Sequence, residues 1–470
     1  MQLSEPYFAG RTQDFPDTEQ LLISGGDARI ALDPVGGMNK YGCQPYPDPT
    51  LLAFGSSTAS VISQAGFAAA NQLRNRLLAD SGAASSEVIY AREMLRIRQT
   101  LLSDVSASGV ELAFATSGTD AHVLAARYVA SVFTHPVRVV MVEEDETGSG
   151  VAAALSATEP GGQKLCAINL VPLRLADGMP RRITDIDTEV TALVNAAVAL
   201  GERVLLIMVD QSKTGMIAPS PACVVQLHQR HPNQLMVLVD ACQFRLAPPT
   251  LRAYLQQGFM VALTGSKFLT GPSFSAALLF PKGLQAGAQN GGDCGEVNFG
   301  LLLRWEAALV ELRRFRAVPD AEITRCLEAF AITIQHRLMS DPHFESLAVP
   351  PLDRQPLQMS QSWDYLPTIF PFLLYHPETA VGRVPLSRGE TLQVYRQLHV
   401  SQPGSSDDSV GGLRCQFGQP VACGMRDGVK VSALRLCISA RHISEAVSRQ
   451  GISGVIEDAL AALDKTAGLI

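Results

Sequence analysis

The stretch Leu263-Thr-Gly-Ser-Lys-Phe-Leu-Thr-Gly-Pro272 lies between two apolar runs, at residues 259–263 and 275–280. Each run has the length of a buried strand, and the glycines and the proline between them are turn signals. We therefore predict that Lys267 lies in a loop at the carboxyl end of a strand, where α/β sheets place their ligand sites. A lysine in apolar surroundings loses its charge more easily than a solvated one, and the neutral amine is a nucleophile toward an aldehyde. A lysine taken alone is more often an ordinary surface residue, so this interpretation depends on the rest of the chain.

Length and composition describe a globular protein with a large domain and a smaller one. The chain has 470 residues, of which 47% are hydrophobic and 18% charged, and its net charge is −7. This balance does not favour nucleic acid or an acidic membrane surface as a partner. The nine cysteines contain no C-x-x-C pair and the nine histidines no H-x-x-x-H pair, so we predict reduced thiols, a cytoplasmic location and no metal site. No apolar run is long enough to span a bilayer.

Apolar runs of strand length alternate with helical patterns through the middle of the chain. They lie at residues 110–115, 137–142, 204–209 and 235–239. Nearly continuous apolar strands separated by helices are typical of an α/β fold with a mostly parallel sheet that is covered on both faces. The predicted organisation is an N-terminal arm with helices at 1–94, a large domain at 95–295, connecting helices at 296–348 and a small α+β domain at 349–470.

A polar segment follows the first of these runs. Ser117, Gly118 and Thr119 lie between the run at 110–115 and a helical pattern, where backbone N–H groups and hydroxyls converge on a helix N-terminus. Helix N-termini bind phosphate groups, although a plain helix cap would produce the same pattern.

A carboxylate and an amide follow the run at 235–239. Asp240 ends this run, and Gln243 comes three residues later. A carboxylate at a strand end can keep a pyridinium nitrogen protonated, which makes the ring an electron sink, and an amide can reach an oxygen of the same ring. Asp240 precedes Lys267 by 27 residues, which places it one strand earlier.

These segments, in this order, resemble the motifs of the fold type I pyridoxal-phosphate (PLP) enzymes, and more narrowly the class V aminotransferase group, which includes cysteine desulfurases and kynureninases. The matching segments are Thr116 to Ala121, Asp240 with Gln243, and Ser266-Lys267 followed by Gly271-Pro272. The resemblance implies the fold type I PLP-transferase fold, with PLP held as a Schiff base on Lys267. The cofactor contacts that it implies are Asp240 at the ring nitrogen, and Ser117, Gly118, Thr119, Gln243 and Ser266 elsewhere.

The resemblance implies two further cofactor contacts. The family usually has an aromatic residue or histidine that stacks on the cofactor ring after the strand at 137–142, whereas Thr147 takes that position here. Asn298 lies in the segment 296–300, where the family lets one subunit touch its neighbour's phosphate. We therefore expect a homodimer with shared sites.

Substrate contacts are expected from four residues. Arg414, in a segment that resembles the family's C-terminal arginine segment, is the first choice for a bidentate pair with the substrate α-carboxylate, and Arg435 is its rival. Ser57 is a donor for an anionic substrate group, unless the hydroxyls around it only cap a helix. Lys213 either contacts an anionic substrate or is solvated.

The implied reaction begins when Lys267 removes the α-proton of an amino-acid substrate to give a Cα carbanion. Transamination, β- or γ-elimination, replacement, racemisation and decarboxylation all share this first half, and an aminotransferase-like enzyme is the first expectation. The absence of a stacking ring, together with Lys213 and Ser57, leaves open β- or γ-elimination or replacement on a large or anionic substrate in biosynthesis. Cys415 and Cys423 are the candidates for a desulfurase's mobile thiol, but buried structural thiols are the better interpretation.

An alternative of another class comes from Gly148-Ser-Gly-Val-Ala-Ala153, which fits the G-x-G-x-x-A pattern of a nicotinamide-dinucleotide-binding oxidoreductase. The fit is poor, because the first glycine does not follow its strand directly and no acidic residue ends a following strand at the expected interval. We therefore expect this segment to be an active-site loop.

Overall fold

The computed structural model describes residues 15–132, 137–158, 164–284, 297–357, 362–377, 382–401 and 412–470. The predicted domain boundary between residues 295 and 296 lies outside these ranges. Within them, no helix combines the length and the apolar character that crossing a membrane requires.

The apolar runs predicted as strands at residues 110–115, 137–142, 204–209 and 235–239 are strands in the structure, and helices lie between them. The strands are β1 (Leu51–Phe54), β2 (Glu111–Ala115), β3 (Val137–Val142), β4 (Ala167–Val171), β5 (Arg203–Asp210), β6 (Ile217–Ala218), β7 (Leu235–Ala241), β8 (Met260–Thr264), β9 (Ala276–Phe280), β10 (Phe344–Ser346), β11 (Ile369–His376), β12 (Val384–Pro385), β13 (Arg414–Arg426) and β14 (Val429–Cys437). The helices are α1 (Thr18–Leu22), α2 (Gln64–Asp80), α3 (Ser86–Asp104), α4 (Gly118–Val132), α5 (Val151–Leu155), α6 (Ile183–Ala199), α7 (Pro221–Arg230), α8 (Pro248–Gln256), α9 (Phe299–Arg316), α10 (Asp320–Ser340), α11 (Arg388–Leu398), α12 (Ala440–Glu445) and α13 (Gly451–Gly468).

The larger sheet has the order β2-β9-β8-β7-β5-β3-β4, and β6 pairs with β5 at its side. β9 runs antiparallel to both of its neighbours, β6 runs antiparallel to β5, and the other pairs are parallel. Every residue of β8 and β9 is buried, as expected for strands that are covered on both faces. The predicted α/β fold class with a mostly parallel sheet is confirmed. The sequence did not reveal β4, because this edge strand is half exposed and has no continuous apolar run.

Helices cover both faces of this sheet. Successive residues of β5 point to opposite faces, so that Leu205 and Ile207 belong to the core beneath α4 and α5. Leu206 and Met208 belong to the larger core, which also contains residues of α6, α7, α8 and α9. This two-sided burial explains why the central strands are apolar along their whole length.

The smaller sheet contains one strand from the N-terminal part of the chain and five from the C-terminal part. Its order is β1-β13-β14-β11-β10, with β12 paired to β11. β1 runs parallel to β13, with Phe54 opposite Phe417, and the other pairs are antiparallel. The sequence patterns did not predict β1, because its four residues stand between loop signals. Through β1, the segment at residues 55–63 lies against the C-terminal strands.

The carboxyl ends of five strands lie at one edge of the larger sheet. β2, β3, β5, β7 and β8 run in the same direction and therefore end at the same edge of the sheet. The segments that follow them carry most of the predicted site residues, namely Ser117, Thr147, Lys213, Gln243 and Lys267. This is the edge at which open α/β sheets bind ligands.

Candidate active site

A cavity of about 330 Å³ opens at this edge of the sheet. Its size falls within the range of about 300–1,000 Å³ that is typical of small-molecule sites. Eleven of the predicted site residues line it: Ser57, Ser117, Gly118, Thr119, Thr147, Lys213, Asp240, Gln243, Ser266, Lys267 and Arg435. The structure thus brings together residues from seven separate segments.

The loop that carries Lys267 is held tightly against the rest of the molecule. The Gly265 N–H donates to Ser275 O at 2.8 Å, and the Gly271 N–H donates to Gly265 O at 2.9 Å. A Cβ at Gly265 or Gly271 would lie within 2.7 Å of Ala308 Cβ, so both positions require glycine where α9 packs against the loop. The lysine therefore projects into the cavity from a fixed turn.

Four non-glycine residues near the cavity have left-handed backbone conformations. Gln211, Phe244, Thr270 and Phe274 have φ values between 53° and 70°. Two of them follow the carboxyl ends of β5 and β7, and the other two flank Pro272. Conformations of this kind cost energy and cluster at functional sites, where the surrounding structure enforces them.

Asp240 is buried and has three neighbours. Thr147 Oγ1 donates to its Oδ2 at 2.8 Å, the Cys242 N–H donates to its Oδ1 at 3.1 Å, and His122 Nε2 lies 3.4 Å from Oδ2. Burial by itself raises the pKa of Asp240, but the nearby charges of His122 and Lys267 and the hydrogen bond from Cys242 together lower it below its ordinary value. Asp240 is therefore held as a carboxylate.

The arrangement favours the protonated form of His122. Its Nδ1 lies 2.6 Å from Gly118 O, and a carbonyl oxygen can only accept, so Nδ1 is the donor. If the ring were neutral and carried its proton on Nδ1, the lone pair of Nε2 would face the Asp240 carboxylate, which is unfavourable. Burial is the largest single influence and lowers the pKa of His122, but the contact with the charged Asp240 and the hydrogen bond to Gly118 O together raise it by more, so that the net shift is upward. The sequence analysis gave His122 no role, although it lies one helical turn after Gly118 on α4.

The helix end of the cavity consists of Ser117, Gly118, Thr119 and Arg29. The Asp120 carboxylate accepts from the Ser117 N–H at 2.9 Å and from Ser117 Oγ at 2.8 Å, so part of the donor set is already used as a helix cap. The N–H groups of the first turn of α4 have no partner within the helix. Gly118 and Thr119 belong to that turn and line the cavity.

Arg29 reaches the helix end of the cavity from the N-terminal arm. Its Nη2 lies 3.4 Å from Ser117 Oγ, and its guanidinium lies over the ring of Phe274 at 5.3 Å from the ring centroid. The hydrogen bond to Asp27 raises the pKa of Arg29 above its ordinary value. Nothing in the sequence around Arg29 pointed to this place, because only tertiary packing brings the arm there.

The arginine end of the cavity consists of Arg435, Thr58 and Lys213. Arg435 is 2% exposed, and its Nη atoms donate to Thr58 Oγ1 at 2.9 Å, Gln419 O at 2.5 Å and Lys213 O at 3.2 Å. Its Nε is buried and has no hydrogen-bond partner. Burial lowers the pKa of Arg435 from its ordinary value.

Lys213 also lines this end. Its Nζ donates to Glu144 O at 2.7 Å. Burial, followed by the charges of Arg435 and Lys267, lowers the pKa of Lys213 to about 8. The lysine is thus predominantly protonated at neutral pH but close to its titration range.

Ser57 and Gln243 connect the N-terminal segment to the strand ends. Gln243 Nε2 donates to Ser57 O at 3.1 Å, and Ser57 Oγ is buried without a hydrogen-bond partner. Ser266 is buried in the wall beside Lys267.

Two predicted site residues do not line the cavity. Arg414 is the first residue of β13, is half-buried, and places Nη2 at 2.7 Å from Asp48 Oδ2, so its charge is already paired. Of the two arginines predicted to meet the substrate carboxylate, Arg435 on the neighbouring strand lines the cavity and Arg414 does not. Asn298 Oδ1 accepts from the Leu301 N–H at 2.9 Å and caps α9, and its Nδ2 donates to Gly25 O at 2.8 Å.

The loop at residues 143–150 lines the cavity as well. Its buried Glu146 accepts from Arg174 Nε at 2.7 Å, from Ser212 Oγ at 2.6 Å and from Thr214 Oγ1 at 2.7 Å. These contacts fix the loop against the segment that carries Lys213. Gly148, Ser149 and Val151 line the cavity, so part of the G-x-G-x-x-A pattern belongs to the same site.

Comparisons with known proteins agree on the fold. No family model matches the sequence, and no curated protein matches it significantly. Among solved structures, a NifS-like protein has a TM-score of 0.57 and 14% identity, and the match covers 88% of this chain and 99% of that chain. The cysteine desulfurase CsdA from Escherichia coli has a TM-score of 0.52 and 14% identity, over 89% of this chain and 95% of that one. The Oryza sativa TDC, whose structure contains PLP and tryptamine, has a TM-score of 0.52 and 14% identity, over 100% of this chain and 90% of that one.

These matches and the strand order agree with the resemblance of the sequence motifs to this class of enzymes. The chain has the fold of the fold type I PLP-dependent enzymes.

Proposed function

We propose that this chain is a PLP-dependent enzyme that acts on the α-amino group of an amino-acid substrate. The observation that carries the proposal is the meeting of Lys267 and a buried, ionised Asp240 in one cavity that also contains the N-terminus of α4. An amine for a Schiff base, a carboxylate for a pyridinium nitrogen and a phosphate-binding helix end are the three groups that PLP requires.

The residues present fit this cofactor. Asp240 would hold the ring nitrogen, because its lowered pKa keeps it charged when the nitrogen carries a proton. Gln243, Ser266 and Thr147 line the wall around it. At the phosphate, Thr119 and the first-turn N–H groups of α4 would donate, since Asp120 already engages Ser117.

PLP, when bound, would delocalise the electrons of a carbanion at the substrate Cα. Lys267 Nζ would hold the cofactor and, once free, accept the α-proton as a general base. Asp240 would keep a proton on the ring nitrogen, and His122 and Thr147 would keep Asp240 in place. Arg435 would orient the substrate through its α-carboxylate, because its Nε is unpartnered and its guanidinium lines the cavity.

Transamination is the first candidate for the reaction. A second candidate is β- or γ-elimination or replacement, which the neighbouring cations Lys213 and Arg435 favour because they would stabilise an anionic leaving group. A desulfurase reaction is less well supported. Burial raises the pKa of Cys242, the cysteine in the cavity wall, and also the pKa values of Cys415 and Cys423.

The first test is the visible spectrum of the purified protein with PLP, followed by borohydride reduction and peptide mapping. We expect a yellow protein with a reduced adduct on Lys267, and no such adduct in Lys267→Ala. Lys282→Ala, which removes an exposed lysine outside the cavity, is the matched control. A colourless protein, or an adduct that survives Lys267→Ala, would overturn the proposal.

Product analysis then separates the two reactions. Transamination gives an oxo acid and leaves the cofactor aminated, whereas elimination or replacement releases a leaving group and leaves the aldehyde form. The proposal includes a homodimer, which the motif around Asn298 suggests. Light scattering of the purified protein measures the mass directly, and a mass of one chain would remove that part of the proposal.

A further inference from the structure

The arginine end of the cavity contains more positive charge than one carboxylate can match. Arg435 donates only to neutral oxygen atoms, those of Thr58, Gln419 and Lys213. Lys213 Nζ donates to a backbone oxygen, Glu144 O. In the part of the chain that the structure describes, neither cation has a carboxylate within ion-pair distance.

The acidic residues nearby compensate these charges only in part, since the charges of Asp145 and Glu146 raise the pKa of Lys213 by less than burial and the charges of Arg435 and Lys267 lower it. Glu146 also lines the cavity, but its carboxylate is already paired with Arg174 Nε at 2.7 Å and accepts hydrogen bonds from Ser212 and Thr214. Asp240 faces His122 and Lys267 on the other side. A buried charge without a counter-ion is costly, so a site that holds two such cations is built to receive negative charge.

One of the two cations would pair with the substrate α-carboxylate. The cofactor phosphate would lie at the helix end of the cavity, where Arg29 contacts Ser117. Lys213 then remains without an anionic partner. On the basis of the proposed function, we propose that the substrate is an amino acid whose side chain carries a second anionic group, and that Lys213 and Arg435 bind its two anionic groups.

The shape of the arginine end agrees with this assignment. Gly418 has no side chain where a Cβ would lie 2.6 Å from Ser57 Oγ and 3.0 Å from Arg435 Nε. Both of these polar atoms are buried and lack hydrogen-bond partners in the structure. An unpartnered guanidinium Nε with an unpartnered serine hydroxyl beside it is a donor set that a carboxylate, sulfonate or phosphate would engage.

The test compares binding of amino acids that differ in charge but little in shape. The probes are L-aspartate against L-asparagine, L-glutamate against L-glutamine and O-phospho-L-serine against L-serine, each added to the PLP-loaded protein. Dissociation constants come from calorimetry and from the change in the visible spectrum. In at least one pair we expect the acidic member to bind about 10- to 100-fold more tightly, which is the effect of a partly desolvated charge pair.

Variants of Lys213 identify the group that is responsible. Lys213→Met removes the charge at similar length, and we expect it to abolish the preference for the acidic member. Lys213→Arg keeps the charge and should retain most of the preference, which separates a loss of charge from a loss of folding. Lys430→Met removes an exposed lysine from β14, the strand of Arg435, and should behave like the wild type.

The outcomes separate this inference from the proposed function. A protein that forms no adduct on Lys267 overturns the proposed function. A protein that forms the adduct but binds neutral amino acids as tightly as acidic ones, or binds none of the six probes, overturns only the substrate class. A preference that survives Lys213→Met overturns the role of Lys213.

Discussion

Replacing His122 with glutamine tests the pairing on which the charge of Asp240 depends. Glutamine keeps an N–H donor of similar reach and removes the positive charge. The His122 Nε2 to Asp240 Oδ2 distance is 3.4 Å, and both side chains are buried. Two unit charges about 4 Å apart attract by about 4 kcal/mol at an effective dielectric constant near 20. Removing one partner of a buried pair typically costs about 3–5 kcal/mol. Because Thr147 and Cys242 still donate to Asp240, we expect the lower value, a loss of about 3 kcal/mol.

The same pair predicts a pH dependence with a definite sign. The pKa of His122 is raised in the folded protein, so its contribution to stability is complete below its ordinary pKa of 6.5 and is lost as the pH rises through the folded value. The pKa of Asp240 is lowered, so its contribution is present above 3.8 and is lost only as the pH falls through its folded value. The difference in unfolding free energy between wild type and His122→Gln should therefore be larger at pH 6 than at pH 9.

Urea denaturation of the cofactor-free proteins at the two pH values measures this difference. His228→Gln is the matched control, because His228 is half-buried on α7 and burial lowers its pKa. Its contribution should change in the opposite direction with pH. A His122→Gln protein that loses less than about 1 kcal/mol, or whose deficit is the same at pH 6 and pH 9, would refute the assignment of a charged His122.

Three further changes have expected outcomes. In Gly418→Ala the new Cβ would lie 3.0 Å from Arg435 Nε, so the affinity for amino-acid substrates should fall about tenfold in calorimetry while the cofactor spectrum is unchanged. Arg354→Met leaves the buried Asp210 without the guanidinium that contacts both of its oxygens at 2.7 Å, and should lower the unfolding free energy in urea by about 3–5 kcal/mol. Arg29→Gln removes a positive charge from the helix end of the cavity, and the dissociation constant for PLP should rise about tenfold in a spectral titration.

Matched variants control for two of these changes. Gly82→Ala adds a Cβ where nothing lies within 4 Å, and should bind substrates like the wild type. Lys40→Gln removes an exposed charge from the same arm as Arg29, and should bind PLP normally. Normal substrate affinity in Gly418→Ala would contradict the role of Arg435. A loss of less than about 1 kcal/mol in Arg354→Met would show that the buried pair contributes little. Equal PLP affinity in Arg29→Gln and Lys40→Gln would remove Arg29 from the site.

Much of the large sheet could be predicted from the sequence, since its strands are buried on both faces and appear as continuous apolar runs. β8 and β9 are the clearest cases, because the run on each side of Lys267 became a fully buried strand. β1 and β4 could not be predicted in this way. One is four residues long and the other is a half-exposed edge strand, so neither leaves a periodic signal.

The choice between two arginines could not be made from the sequence. Arg414 and Arg435 lie on adjacent strands, and either could have faced the site. Arg414 lies opposite Leu51 of β1, whereas Arg435 lies opposite Gly418 of β13 and lines the cavity. Such cross-strand pairing is set by tertiary packing, which a linear pattern does not contain.

The sequence by itself determined the α/β fold class and the placing of Lys267, Asp240 and the segment 117–119 at strand ends, because parallel strands bring their carboxyl ends to one edge. Only the tertiary structure decided which distant residues complete the cavity. Arg29 comes from the N-terminal arm, and Arg435 comes from the second sheet, which is itself completed by β1. Their places follow from contacts between residues hundreds of positions apart, and such contacts are set by packing and burial in the folded chain.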